Sequence, residues 1–424
     1  MLGHGSRTFF RSMWVLLLSG TCLWAGTACA IDGKPRHRGY PAIAAATADG
    51  ASRERSSAKG GDASSSRGSS QSEALWKSQE LSLPAVGMSA GDIDGDGQNE
   101  LVIIGPSHVY AYRIEGTGLT PLAELDLSPL ELKSVDVAKI AKSGPARIYV
   151  SAQNRGALSS QVIELRGGKL ETVIKDVRHY LRVIEYPTRG PFLLGQTRGM
   201  KRFYEGPIFR LSDTGTALQQ TGRFGVPLKI PIFGFAIGDL EGNLQPLIAA
   251  YDRQDHLRIY NPKGQRLFRS GAYYGGSDVL LRPMNTDRRT DEHTLETTSD
   301  TEYFRPRIMS LDLRQDGKYE ILVVCHESKT GRYLSRTRML EDGQVQGLVW
   351  NGDATEERWS SPKIQGTMVD FAVTNLPGMS GLRLVTVERK KTDWLSLIRS
   401  RSQVRAYDLR RLMEKGPQSG RRDE

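Results

Sequence analysis

Gly91-Asp92-Ile93-Asp94-Gly95-Asp96-Gly97-Gln98-Asn99-Glu100, followed by Leu101-Val102-Ile103-Ile104, is the stretch whose reading decides the fold. Three aspartates stand at alternate positions, and a glutamate falls eight residues after the first of them. A hard cation such as Ca²⁺ takes roughly six to eight oxygens in a tight wrap. The carboxylates of Asp92, Asp94, Asp96 and Glu100, at positions 1, 3, 5 and 9, supply most of these. The backbone carbonyl of Gln98, at position 7, supplies another. Gly97 permits the sharp reversal that turns the oxygens inward. An EF-hand needs flanking helices and a glutamate at position 12, where this chain has Ile103. Here the flanks, 86–93 and 101–104, read as strands. The stretch is therefore expected to be a Ca²⁺ loop between two β-strands; the bland reading is an acidic turn without metal.

This pattern resembles the FG-GAP/VCBS repeat, the calcium-binding loop of integrin-like β-propeller blades. The resemblance covers residues 74 to about 412 and is fullest at this first loop. It implies a propeller exported from a bacterial cell, with Ca²⁺ in at least one blade.

From Ala74 the chain is a series of short apolar runs separated by Gly, Asn, Asp and Pro turns, with no long helical period. The runs group into imperfect repeats anchored at Asp92, Asp136, Glu185, Asp239, Asp312 and Asp370. The expected fold is all-β, a β-propeller of four-stranded blades. Six blades are expected, and the long interval between Asp239 and Asp312 leaves seven as the alternative. The sixth repeat supplies three strands, so the lone strand at 74–81 is expected to complete the last blade and close the ring. The polar segment 286–300 and the segment 327–343 read as long connections.

The other loops are poorer in ligands. The fourth carries Asp239, Glu241 and Asn243 but has Leu244 and Leu247 where the glycine and the closing carboxylate would stand, which makes it a weaker second metal site. The fifth keeps Asp312, Asp316, Gly317 and Glu320 but has Arg314 at position 3. That guanidinium is expected to pair with Asp312 or Glu320 in the cation's place. The expected role of the metal is structural.

Residues 1–30 read as a signal peptide: Arg7 and Arg11, a short apolar run at 13–24, and the small-x-small sequence Ala28-Cys29-Ala30. A lipoprotein signal with Cys29 as the lipid-bearing residue is the alternative. Residues 31–72 are expected to be a disordered Ser/Gly/Ala-rich linker, 73–412 the propeller and 413–424 a disordered basic tail. No transmembrane segment is expected after signal removal. The protein is thus expected to be exported, to the periplasm, the outer-membrane surface or the medium.

The 424 residues carry a formal charge of +10, but the basic residues are scattered and nothing suggests nucleic acid. Cys325 lies in an apolar run and is expected to be a buried, inert thiol. No nucleophile elbow, phosphate loop, or His- or Cys-based metal spacing is present, and no catalytic residue is nominated. His108 and His256 are expected to open the third strands of their blades. Tyr204-Glu205, Tyr273-Tyr274 and 286–300 are the places where a channel or rim site would show. The leading expectation is a non-enzymatic binding or scaffold protein with a protein or polysaccharide partner. The alternative is a propeller enzyme acting on a carbohydrate polymer, marked by an acidic or Tyr/Arg cluster in the central channel.

Overall fold

The computed structural model describes residues 74–417, apart from 117, 200–202, 228–229, 283–301, 328–339 and 391–400. The leader, the linker, the segment 286–300 and the end of the tail therefore lie outside the described residues. Six four-stranded antiparallel sheets follow one another along the chain. Blade 1 is Gly87–Gly91, Glu100–Ile104, His108–Glu115 and Gly118–Asp126. Blade 2 runs from Glu131–Ala138 to Lys169–Val177, with a two-residue extra strand, Ala157–Leu158. Blade 3 runs from Tyr180–Tyr186 to Leu218–Arg223 and blade 4 from Phe235–Gly238 to Arg266–Tyr273. Blade 5 runs from Ile308–Leu311 to Thr355–Ser360. Blade 6 takes Gly366–Asn375, Leu382–Lys390 and Ser402–Asp408 from the end of the chain. Its fourth position is held by Trp76–Lys77, with Trp76 opposite Ala406 and Lys77 opposite Arg405.

The fold is thus a six-bladed β-propeller, and the seven-blade alternative falls. The long interval after Asp239 holds a small hairpin, Leu280–Leu281 with Glu302–Tyr303, among its described residues, and no seventh four-stranded sheet.

Burial explains why the strands are so apolar. In blades 1, 4 and 5 the second strand is covered on both faces, so residues 101–104, 247–251 and 321–324 form continuous apolar runs rather than alternating ones. In blade 1, Leu101 and Ile103 pack with Val385, Val404 and Ala406 of blade 6. The intervening Val102 and Ile104 pack with Val135, Ile148 and Val150 of blade 2. The same period-two division recurs around the ring. Separate clusters join blades 2 and 3 through Tyr149 and Leu193, blades 3 and 4 through Tyr180 and Phe235, blades 4 and 5 through Leu257 and Ile321, and blades 5 and 6 through Val324 and Phe371. Burying such a side chain is worth about 1.5–3 kcal/mol.

Strand direction sorts the connections onto two faces. Turns between first and second strands, and between third and fourth, fall on one face; the longest run eight residues, as in 92–99. Connections between second and third strands, and from one blade to the next, fall on the other. That face carries the long ones, including those joining Glu320–Glu327 to Glu341–Trp350 and Leu382–Lys390 to Ser402–Asp408.

After blade 6 the chain forms a helix, Leu409–Lys415, which crosses the boundary expected at 412. Asp408 caps it by accepting from the Arg411 N–H at 3.2 Å. Leu409 and Leu412 are buried beside Trp359.

Candidate metal centre

The Asp92–Glu100 loop joins the first two strands of blade 1. Gly95 and Gly97, at φ 86° and 85°, make its two left-handed reversals. These aim backbone donors at the carboxylates: Gly95 N–H to Asp92 Oδ1 at 2.6 Å and Gly97 N–H to Asp92 Oδ2 at 3.1 Å. Asp96 N–H donates to Asp94 Oδ1 at 3.0 Å, and Gln98 N–H to Asp96 Oδ1 at 2.8 Å. Carboxylate oxygens of Asp92, Asp94 and Glu100 lie within 4.8 Å of one another. Among the described residues no other group of three or more acidic, His or Cys side chains gathers in this way.

Glu100 sets this turn apart from the others. It is fully buried, and Oε2 accepts from the Ile93 N–H at 3.0 Å, while Oε1 has no hydrogen-bond partner. Burial, reinforced by the charges of Asp94 and Asp96, pushes its pKa up to about 7. A buried orphan oxygen beside two further carboxylates fits a hard cation, since oxygen donors are what Ca²⁺ takes. Sequence reasoning missed the neighbour that answers this charge. Arg113, on the third strand of blade 1, donates to Asp94 and lies 3.4 Å from Asp96 Oδ2; its Nε is 3.8 Å from Glu100 Oε1. Its place two strands away along the chain, opposite Thr120 in the next strand, gave no signal in the loop motif itself.

The other loops are closed by their own side chains. In blade 4, Asp239 accepts from the N–H groups of Gly242, Asn243 and Leu244, as a ligand-type Asx turn would. Glu241, however, accepts from Asn243 Nδ2 at 2.8 Å and from Trp350 Nε1 at 3.1 Å. In blade 5 the expected internal counter-charge is present: Arg314 Nε donates to Glu320 Oε1 at 2.8 Å, and Trp359 Nε1 to Glu320 Oε2 at 2.7 Å. The pairing is with Glu320; Asp312 instead accepts from the Asp316 and Gly317 N–H groups.

Three repeat anchors must be corrected. Asp136, Glu185 and Asp370 lie inside first strands, at 131–138, 180–186 and 366–375, and not in loops. Asp136 and Asp370 instead meet Arg307 where the first strands converge. Arg307 Nε donates to Asp370 Oδ1 at 2.9 Å and Nη2 to Oδ2 at 3.1 Å, a bidentate fork. Nη1 donates to Asp136 Oδ1 at 2.5 Å, and Nη2 also reaches the Val135 and Met88 carbonyls at 2.9 and 3.2 Å. The carboxylates are satisfied from elsewhere as well, by the N–H groups of Met88, Phe371 and Val183 at 2.8–3.1 Å. Arg182 donates to the Ile308 carbonyl at 3.1 Å, with Nε 3.9 Å from Asp136. Burial opposes the charge on both arginines. It brings Arg182 down to about 10, whereas the two carboxylates outweigh it at Arg307 and hold that group above the ordinary arginine value. The cluster ties blades 1, 2, 3, 5 and 6 together. It is the charged Arg-containing centre that would mark a channel enzyme, but its charges are spent on one another and on backbone.

The histidines His256 and His326 are engaged by backbone groups. His108 and His256 open third strands as expected. His256 Nδ1 is 2.8 Å from the Ser270 carbonyl, and His326 accepts the Met368 N–H on Nε2 at 3.0 Å. Tyr204 packs with Tyr180 and Phe233 rather than lining an open site. Cys325 is half-buried, not fully buried, and its Sγ lies 3.8 Å from the Tyr273 carbonyl.

No protein-family model and no curated protein matches the sequence. Solved structures similar to the chain include BBS1N in complex with ARL6DN, at 13% identity and TM-score 0.36, over 76% of this chain and 78% of that one. Saccharomyces cerevisiae Sqt1 is similar at 9% identity and TM-score 0.38, over 79% and 99%. A chain of a mitotic checkpoint complex is similar at 11% identity and TM-score 0.41, over 81% and 98%. The fold assignment rests on the chain's own strand order. No helix among the described residues is long and apolar enough to cross a membrane.

Proposed function

We propose that this is an exported, calcium-binding propeller of the FG-GAP/VCBS type that acts as a non-enzymatic binding scaffold in the cell envelope. Its partner is a protein or polysaccharide held by loops at one end of the ring. The observation that carries the metal reading is Glu100, a fully buried carboxylate with one orphan oxygen beside Asp92 and Asp94. Asp92, Asp94, Asp96 and Glu100 would hold the ion by carboxylate and Gln98 by its carbonyl. The bound ion supplies positive charge to a turn whose carboxylates otherwise repel one another. Arg113 supplies that charge without the ion, so metal binding and the Arg113 contacts compete. Asp239, Glu241 and Asn243 remain a weaker second site, since Glu241 is already engaged.

Calcium titration of the full chain, with thermal unfolding in chelator and in millimolar Ca²⁺, tests this. Affinity is expected near that of extracellular modules, about 10⁻⁴–10⁻³ M. At a tenfold excess over Kd the ion then adds about 1.4 kcal/mol of stability. Asp94→Ala abolishes the shift, and Arg113→Gln tightens binding. Absence of any Ca²⁺ response at millimolar concentration would sink the metal reading. Attachment is tested separately: if Cys29 carries lipid, detergent partitioning moves the wild type and not Cys29→Ser into the detergent phase. If both stay in the aqueous phase, the exported protein is soluble.

A further inference from the structure

A cleft of about 800 Å³ opens between blades 2 and 3, lined by Arg155, Arg178 and Arg198 together with Asn154, Ser159 and Asp176. Its lining comes from the crossing between blades 1 and 2 at Pro129, the connection between the second and third strands of blade 2, the end of that blade's last strand with the crossing to blade 3, and the residue just past the second strand of blade 3. By strand direction all of these lie on the face of the blade-to-blade crossings, opposite the Asp92–Glu100 loop. The volume is that of a small-ligand site. Three guanidiniums face one carboxylate, and that carboxylate is engaged, since Asp176 Oδ1 accepts from Ser159 Oγ at 2.6 Å.

Two features show that the arginines are built in rather than scattered. Arg155 is the first central residue of a two-residue hairpin turn between Asn154 and Ala157, with φ 48°, followed by Gly156 at φ 83°. A turn with both central residues at positive φ favours Asn or Gly first. Arginine there is strained backbone that the turn does not need, and its side chain lines the cleft. Asp176 is strained as well, at φ 55°, beside a register break in the last strand of blade 2. Arg198 is fixed in place. Its guanidinium carbon lies 4.7 Å over the Phe203 ring, and Nη1 donates to the Arg282 carbonyl at 3.1 Å, while Nε is buried with no hydrogen-bond partner.

We infer that this cleft binds a small oxyanion-bearing ligand, a carboxylate or phosphate group gripped by Arg155, Arg178 and Arg198. Planar guanidiniums match such groups two-pronged, and a pre-fixed arginine loses little freedom on binding. Asn154 and Ser159 supply neutral polar contacts of the kind a sugar hydroxyl takes. This deepens the binding-scaffold reading and rests on it, but it is independent of the metal.

The test titrates the full chain with sodium galacturonate, inorganic phosphate and, as the uncharged control, galactose, by saturation-transfer NMR and calorimetry. Galacturonate or phosphate binding, weakened at least tenfold in Arg155→Glu/Arg178→Glu and lost progressively with salt, is the expected result. Tighter binding of galacturonate identifies a sugar acid as the source of the anion, and tighter binding of phosphate a phosphorylated ligand. Equal binding of galactose, unchanged binding in the double variant, or no binding of either anion overturns the proposal. Both exposed arginines lie away from the core, so the double variant keeps the wild-type melting temperature. Its calcium response is measured in parallel. A lost metal response with retained anion binding removes the metal reading alone, and the reverse outcome removes the cleft alone.

Discussion

Arg307→Leu is expected to cost about 3–5 kcal/mol, the range for removing one partner of a buried ion pair. The side chain is removed from contact with two carboxylates and two backbone carbonyls drawn from blades 1, 2 and 6. Asp136 and Asp370, both buried, are then left with backbone donors and, for Asp136, the more distant Arg182. Arg307→Lys recovers only part of the loss, because an ammonium is a point charge and cannot reproduce the bidentate fork on Asp370. Replacing all three residues by apolar ones does not restore wild-type stability either. The N–H groups of Met88, Val183 and Phe371 lose their acceptors, at about 1–3 kcal/mol for each one left buried and unpaired. Urea unfolding of the three variants measures this. A loss below about 1 kcal/mol in Arg307→Leu would show that water replaces the guanidinium and that the cluster does not hold the blades together.

The same cluster shows where sequence reading stopped. The Asp92 turn and its cluster of carboxylates were legible because those residues are local, spaced by the turn that holds them. The blade order was legible because second strands buried on both faces leave continuous apolar runs such as Leu101–Ile104 and Ile321–Val324. Asp136 and Asp370 were misread because the sequence around them resembles that around Asp92, which does lie in a turn. An aspartate near the end of a first strand looks alike in sequence whether it enters the turn or points to the axis, and one or two residues of register decide which. Their partner, Arg307, is 171 and 63 residues away. Arg113 sits on the strand beside Glu100 in the same blade, outside the loop motif, and the cleft arginines come together from blades 2 and 3, so spacing within one motif marked neither. The anchor at Glu185 carried no loop at all, since the turn that follows it, 187–189, is too short to wrap an ion.

Removal of residues 74–83 is expected to have the larger effect, a large loss of stability together with new self-association through the bared edge. Those ten residues hold two blades at once. Ser78 N–H donates to the Val404 carbonyl at 2.9 Å, and Leu81 and Ser402 exchange both backbone bonds at 2.8 and 3.0 Å. On the other side Trp76 Nε1 donates to the Gly116 carbonyl at 3.1 Å, and the Gln79 amide brackets Leu119 by donating to its carbonyl and accepting its N–H. Trp76, Leu81 and Leu83 are all buried in the cluster between blades 6 and 1. At about 1.5–3 kcal/mol for each buried side chain, their loss is comparable with the whole stability of a typical domain, about 5–15 kcal/mol. It also bares the edge of Ser402–Asp408, a strand that would then offer unpaired backbone groups to another chain. Trp76→Ala is the graded version: a cavity costing about 3–5 kcal/mol, with the strand still in place. If the segment acts as the closing strand, a synthetic peptide of residues 74–83 added in trans should restore the wild-type size by strand addition. Size-exclusion chromatography with light scattering reads all three cases. A chain lacking residues 74–83 that keeps the wild-type size and melting temperature would mean that blades 6 and 1 are joined by their own side chains, and that the N-terminal strand only covers the seam.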